Sequence, residues 1–156
     1  METIKVKDVM AKKLVTLRPD TDIFDAISVL LRNRISGAPV VDKHGHFIGV
    51  FSEKNCMSVM VTGCYHNLPN SCVSTFMEGA PKTISEDTDL MTVAQIFLNS
   101  RVRRLPVLRE AKIVGQVSRR DLLRALLENR SKTRAKKLGR PAQPLYLSAI
   151  DDRDFV

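Results

Sequence analysis

Two stripes of apolar residues recur at helical spacing. Ile23, Ala26, Ile27, Leu30 and Leu31 form the first; Leu90, Val93, Ala94, Phe97 and Leu98 form the second. Side chains three and four positions apart share a helix face, so each stripe predicts an amphipathic helix. Asp20 and Asp22 precede the first stripe, and Asp87 and Asp89 the second. Carboxylates there suit the positive end of a helix. After each helix the apolar period shortens. Residues 38–41 and 47–51 predict two strands joined by a turn at "DKHGH", and residues 105–108 and 112–117 predict a second pair. Short apolar segments at 13–17 and 81–85 predict a strand ahead of each helix. A second helix is expected from Ser52, with Cys56, Met57, Val59 and Met60 on its apolar face. Its counterpart starts from Ser118, with Leu122, Leu123, Ala125 and Leu126.

The two series are copies of one another. At a shift of 67 positions Val6 falls on Val73, Met10 on Met77, Thr16 on Thr83, Arg34 on Arg101, and Pro39-Val40 on Pro106-Val107. One residue is lost in the following turn; thereafter Gly49 falls on Gly115, Ser52 on Ser118 and Asn55 on Asp121. Self-similarity of this kind marks a repeat architecture. A unit of about 55 residues rarely buries enough apolar surface alone. The expectation is an α/β fold of two β-α-β-β-α repeats packed with pseudo-two-fold symmetry. Residues 1–66 hold the first repeat with its connecting loop, residues 67–128 the second, and residues 129–156 a tail.

Composition adds charge to this picture. The 156 residues are 44% apolar and carry a net charge of +8, which invites a polyanionic partner. Residues 130–140, "RSKTRAKKLGR", hold Arg130, Lys132, Arg134, Lys136, Lys137 and Arg140 and no acid. Nucleic acid or another polyanion bound through that segment is the alternative function class. Tyr146 is the one nearby aromatic, so a single-strand stacking platform is poorly supported. The tail beyond is able to fold back through Leu145, Tyr146, Leu147 and Ile150. No apolar run approaches the roughly 20 residues that span a bilayer, and the first residues lack the apolar stretch of an export signal. Cys56, Cys64 and Cys72 are an odd number; free thiols in a cytoplasmic, reducing setting are the simplest reading. With His66 they are potential zinc donors, but their spacing matches no familiar finger or ribbon, and no metal is expected. His44 and His46 flank Gly45 in a turn. No nucleophile–base pair and no paired acids stand out, so no enzyme is expected.

One phrase carries candidate chemistry, "GQVSRRD" at residues 115–121. A helix N-terminus offers unpaired N–H groups and partial positive charge to a phosphate. Ser118 adds a hydroxyl there. Asp121, one turn on, has a carboxylate able to accept both hydroxyls of a ribose. Arg103 and Arg104 supply planar cationic forks for phosphate oxygens. No GxGxxG or P-loop is present. Serine followed three residues later by an acid or amide is also the ordinary way to cap a helix. Alone, "SRRD" reads as a cap; its recurrence and the neighbouring "RRLPV" favour a ligand site.

The ordered set "VKDVM" and "VSTFM", "RISGAPVVD" and "RVRRLPVL", "GVFSEKN" and "GQVSRRD" resembles the tandem cystathionine β-synthase (CBS) domain pair, or Bateman module, over roughly residues 4–128. The resemblance implies a non-catalytic sensor of AMP, ADP, ATP or, less readily here, S-adenosylmethionine, associating as a homodimer and regulating another protein. It also implies sites shared between repeats. Ser118 and Asp121 would join Thr21, Ala26, Ile35 and Ser36 of the first copy, with Arg103 and Arg104 at the phosphates. The symmetry-related site would use Ser52, Asn55, Thr88, Val93, Val102 and Arg103. Asn55 stands where the family has an aspartate, and "SGAP" brings no cation, so this second site is expected to be the weaker.

Overall fold

The computed structural model describes residues 3–65, 71–79 and 81–139. The chain divides into one unit ending at Leu122 and another starting at Leu123. In the first unit a 3-10 turn (Val6–Asp8) precedes α1 (Ile23–Asn33), β1 (Gly37–Val41), β2 (Phe47–Ser52) and α2 (Glu53–Tyr65). Then come α3 (Val73–Phe76), β3 (Glu78–Gly79), β4 (Ile84–Ser85), α4 (Leu90–Asn99), β5 (Arg104–Arg109) and β6 (Lys112–Ser118). The last helix, α5 (Arg119–Leu138), begins in the first unit and supplies most of the described part of the second, passing residue 129 without a break.

The local chemistry explains these boundaries. Asp22 caps α1 by accepting from the N–H groups of Phe24 (2.9 Å) and Asp25 (3.2 Å). Asp89 caps α4 in the same manner through Thr92 N–H at 3.0 Å. α1 stops where Arg34 turns left-handed (φ 52°), its N–H bonding back to Leu30 and Leu31. In the first hairpin the Asp42 carboxylate accepts from His44 N–H (2.8 Å) and His46 N–H (2.9 Å).

Two three-stranded sheets result, in the orders β1-β2-β3 and β4-β5-β6. Alternate side chains on a strand face opposite ways. Ala38, Val40 and Phe51 therefore share a core with Ile23, Ala26 and Leu30 of α1 and Cys56 and Val59 of α2. Leu105, Val107 and Val117 do the same with Val93 and Phe97 of α4. The same alternation sends Gly37 and Pro39, and Arg104, Pro106 and Gln116, to the other faces.

The segments ahead of the two halves cross over. Val6, fully buried, belongs to the core built on the second sheet, and Val73, equally buried, to the core built on the first. The bonds match position by position. Val6 N–H donates to the Thr88 carbonyl and Lys7 N–H to Glu86, both at 2.9 Å; Val73 N–H donates to Thr21 and Ser74 N–H to Pro19, both at 2.9 Å. β3 joins β2, and Ala11 exchanges two hydrogen bonds with Gln116 of β6. Lys7 also clasps Asp87 at 2.9 Å, which holds that carboxyl below its ordinary pKa. Arg109 grips Glu86 with both arms of its guanidinium, with the same effect on Glu86.

Three expectations change. Residues 13–17 form no regular strand: only Leu17 bridges to Val40, and the unpaired Lys13, Leu14 and Val15 before it line the cavity described below. In the second copy only Ile84–Ser85 pairs, parallel to β5. The apolar faces of α2 and α5 are narrower than their composition suggested. Cys56 and Val59 turn inward, whereas Met57 and Met60 are 54% and 61% exposed, and Leu123 and Leu126 are 63% and 65% exposed.

Close approach of the leaders explains two of the matched glycines. A Cβ on Gly115 would lie 2.6 Å from Met10 Sδ and 2.9 Å from the Ala11 carbonyl oxygen. One on Gly49 would lie 2.6 Å from the Glu78 carbonyl oxygen and 3.1 Å from Met77 Sδ. Gly115→Ala is expected to cost about 1–3 kcal/mol in urea unfolding through overpacking. Gly79→Ala, whose Cβ meets nothing within 4 Å, is expected to stay within about 0.5 kcal/mol of the parent. Equal effects of the two changes would refute the close-packing account.

Candidate functional site

The faces that point away from the helices enclose a cavity of about 80 Å³. Gly37 and Pro39 of β1, Arg104 of β5 and Gln116 of β6 line it, with Ile35 and the segment Lys13, Leu14, Val15. Leu14, Val15, Ile35 and Pro39 supply its apolar side, and the polar side is nearly as large. Lys13 and Arg104 bring two cations.

Strand register places the head of α5 beside this cavity. Arg104 is paired across the sheet with Ser118. Ser118 N–H and Oγ both donate to Asp121 Oδ2 at 2.7 Å, and Asp121 N–H reaches Ser118 Oγ at 3.4 Å. This is a reciprocal cap, so the capping role of "SRRD" is realised. The first copy builds the same device around Gly37. Gly37 pairs with Ser52, and Ser52 N–H and Oγ donate to Asn55 Oδ1 at 2.8 and 2.9 Å. An amide thus makes the cap that the carboxylate makes, but carries no charge, and glycine replaces the cation.

Of the residues named from sequence, Ile35 and Arg104 line the cavity and Ser118 and Asp121 flank it through the register just described. Ser36 is exposed next to Ile35, its carbonyl accepting from Glu53 N–H at 2.9 Å; Arg103 is exposed beside Arg104. Thr21 and Thr88 lie at the leader docks, where their carbonyls hold Val73 and Val6. Ala26 and Val93 have no exposed surface, being consumed by the two cores, and Val102 packs against the second core. Lys13, Leu14, Val15, Gly37, Pro39 and Gln116 were not singled out. The alternation of β1 and β6 pointed to Pro39 and Gln116, but only a sheet whose helix-covered face is known says which way they look.

The other candidates are dispersed. Cys56 is buried in the first core, which raises its thiol pKa, and Cys72 stands at the N-cap position of α3 without a side-chain cap bond, its Sγ 3.0 Å from Ser74 Oγ. The Cys64 side chain and His66 lie outside the described residues, among which no cluster of metal-ligating groups occurs. Arg130, Lys132, Arg134, Lys136 and Lys137 are exposed along α5. Arg140, Leu145, Tyr146, Leu147 and Ile150 lie outside the described residues. No described helix is long and apolar enough to cross a membrane.

Comparison with known proteins follows the same outline. The CBS domain family profile matches residues 6–62 and 73–128. A protein of Methanocaldococcus jannaschii is 29% identical, the match covering 81% of this chain and 93% of that protein. The chloroplastic CBS domain-containing protein CBSX1 of Arabidopsis thaliana is 28% identical over 79% of this chain and 64% of its own length. The crystal structure of Arabidopsis thaliana CBSX2 in complex with AMP superposes with a TM-score of 0.72 at 26% identity, covering 81% of this chain and 98% of that one.

The paired caps separate folding from ligand chemistry. Ser118→Ala removes both serine oxygen contacts and is expected to cost about 1 kcal/mol in urea unfolding. Asp121→Asn should cost less than about 1 kcal/mol, because Asn55 shows that an amide completes the same cap. A larger loss from Asp121→Asn than from Ser118→Ala would mean that the carboxylate is needed for folding.

Proposed function

The chain belongs to the CBS-domain family, and from that membership we propose that it is a non-catalytic regulatory module. It holds an adenine nucleotide in the cavity between its two sheets and passes that occupancy to a partner protein. The observation that carries this reading is the joint wall: a small cavity lined by both sheets, with Lys13 and Arg104 among its lining residues and the Ser118–Asp121 cap beside it. The base packs on Val15, Ile35 and Pro39. Asp121 receives the ribose hydroxyls, and Arg104 and Lys13 take the phosphates. Two cations favour AMP, ADP or ATP over S-adenosylmethionine, whose sulfonium they repel. The crystal structure of CBSX2 with AMP is consistent with that choice. The Asn55 site, with Gly37 in place of a cation, is the weaker of the two. A ligand alters partner affinity only by binding two states unequally.

The same reading makes the protein a cytoplasmic homodimer. Phe24 and Leu31 on α1, Met57, Met60 and Val61 on α2, and Met91 and Leu98 on α4 are each more than half exposed, and an apolar surface of that kind suits a second copy. Sedimentation at micromolar concentration should give a dimer that Leu31→Asp dissociates; a monomeric parent chain would remove this part of the proposal.

Calorimetric titration tests the ligand reading. AMP, ADP or ATP should bind, with GTP and S-adenosylmethionine weaker. Arg104→Ala and Asp121→Asn should each weaken the nucleotide by about tenfold or more, and Asn55→Ala by less than about threefold. Loss of binding in Asn55→Ala with full binding in Asp121→Asn would reverse the assignment, and silence from every nucleotide would end it.

A further inference from the structure

We propose that Gln116 reads the polar edge of the base in this cavity, which makes it a specificity-determining residue that resting on the fold alone would not require. The inference rests on the nucleotide reading above. Gln116 lies on β6 between Gly115, which the leader covers, and Val117, which belongs to the second core. Strand alternation therefore sends its side chain to the cavity face. Its backbone is fixed from both sides: Ala11 N–H donates to the Gln116 carbonyl at 2.9 Å, and Gln116 N–H donates to the Ala11 carbonyl at 3.0 Å. The main chain is satisfied and positioned, while the side-chain amide makes no hydrogen bond to any described residue.

That amide stands in a wall whose other members are apolar or cationic. Lys13 and Arg104 only donate. Gln116 Oε1 is thus the one side-chain acceptor among the lining residues, and Gln116 Nε2 the one neutral side-chain donor. A carboxamide matches the adjacent donor and acceptor of a purine edge with two hydrogen bonds, as glutamine and asparagine do with adenine. Because the amide can turn over, it also suits a base with the opposite order. What it selects is a 6-substituted purine able to pair, against one with no group at that position. In the symmetry-related place the first copy has Val50, so the edge contact belongs to one site only.

The test compares AMP with purine riboside 5′-monophosphate, which lacks the 6-amino group, on the full chain and on Gln116→Met. Methionine keeps the length of the side chain and cannot pair; the leader bonds use only the backbone. The parent should prefer AMP by about five- to tenfold, and Gln116→Met should bind the two within about twofold while keeping its phosphate-dependent affinity. Gln116→Leu serves as the second variant should the methionine change perturb folding, read by urea unfolding. An AMP preference that persists in either folded variant overturns the role of Gln116. If the parent binds neither nucleotide, the nucleotide reading itself falls, a different outcome.

Discussion

The crossing of the two leaders is the constraint on which the fold depends. Val6 and Val73 are each fully buried in a core whose helices and strands come from the other copy. Burial of a valine is worth about 1.5–3 kcal/mol, and each is backed by backbone bonds at 2.9 Å to the loop before a helix. Those loops carry the capping aspartates Asp22 and Asp89, so leader docking and helix initiation reinforce one another. The matched glycines 49 and 115 exist to admit the leaders, and the ion pairs of Lys7 with Asp87 and Arg109 with Glu86 close over one of them.

From that exchange the site follows. Once both sheets have their helices on one face, side chains of the other faces line a shared cavity, with Pro39 of the first "PV" pair in its wall. Gly37 of the first copy and Arg104 of the second, its matched position, both stand in that wall. Its asymmetry is chemical more than geometric. Both serine-headed helices use the same cap, with nearly the same distances, yet one ends in an amide and the other in a carboxylate. Symmetry of folding has been kept while symmetry of charge was given up.

Much of this was legible in the chain. The shift of 67, the caps, the two hairpins and the place of Ser118 and Asp121 all depend on short-range chemistry that a single sequence displays. The crossing was not legible, because Val6 and Val73 are alike, and nothing local says whether a leader packs on its own copy or its twin. For the same reason the part that the Thr21 and Thr88 carbonyls play as leader docks was not legible. Ala26 and Val93 sit on helix faces that pattern identifies as buried, which is itself the reason they offer no surface. Lys13, Leu14 and Val15 resembled a strand, and only the loss of pairing before Leu17 frees them to form a wall.

The exchange also bears on origins. A polypeptide holding a single copy would have had a core missing its valine and a leader with nowhere to dock. Two such molecules could have completed each other only by trading leaders across an interface, so their folding would have depended on concentration. Duplication and fusion would turn that encounter into an intramolecular one, at an effective molarity set by the connecting chain. Freed from identity, the twins were then able to diverge at Asn55 and Asp121 without dissolving the partnership that folded them.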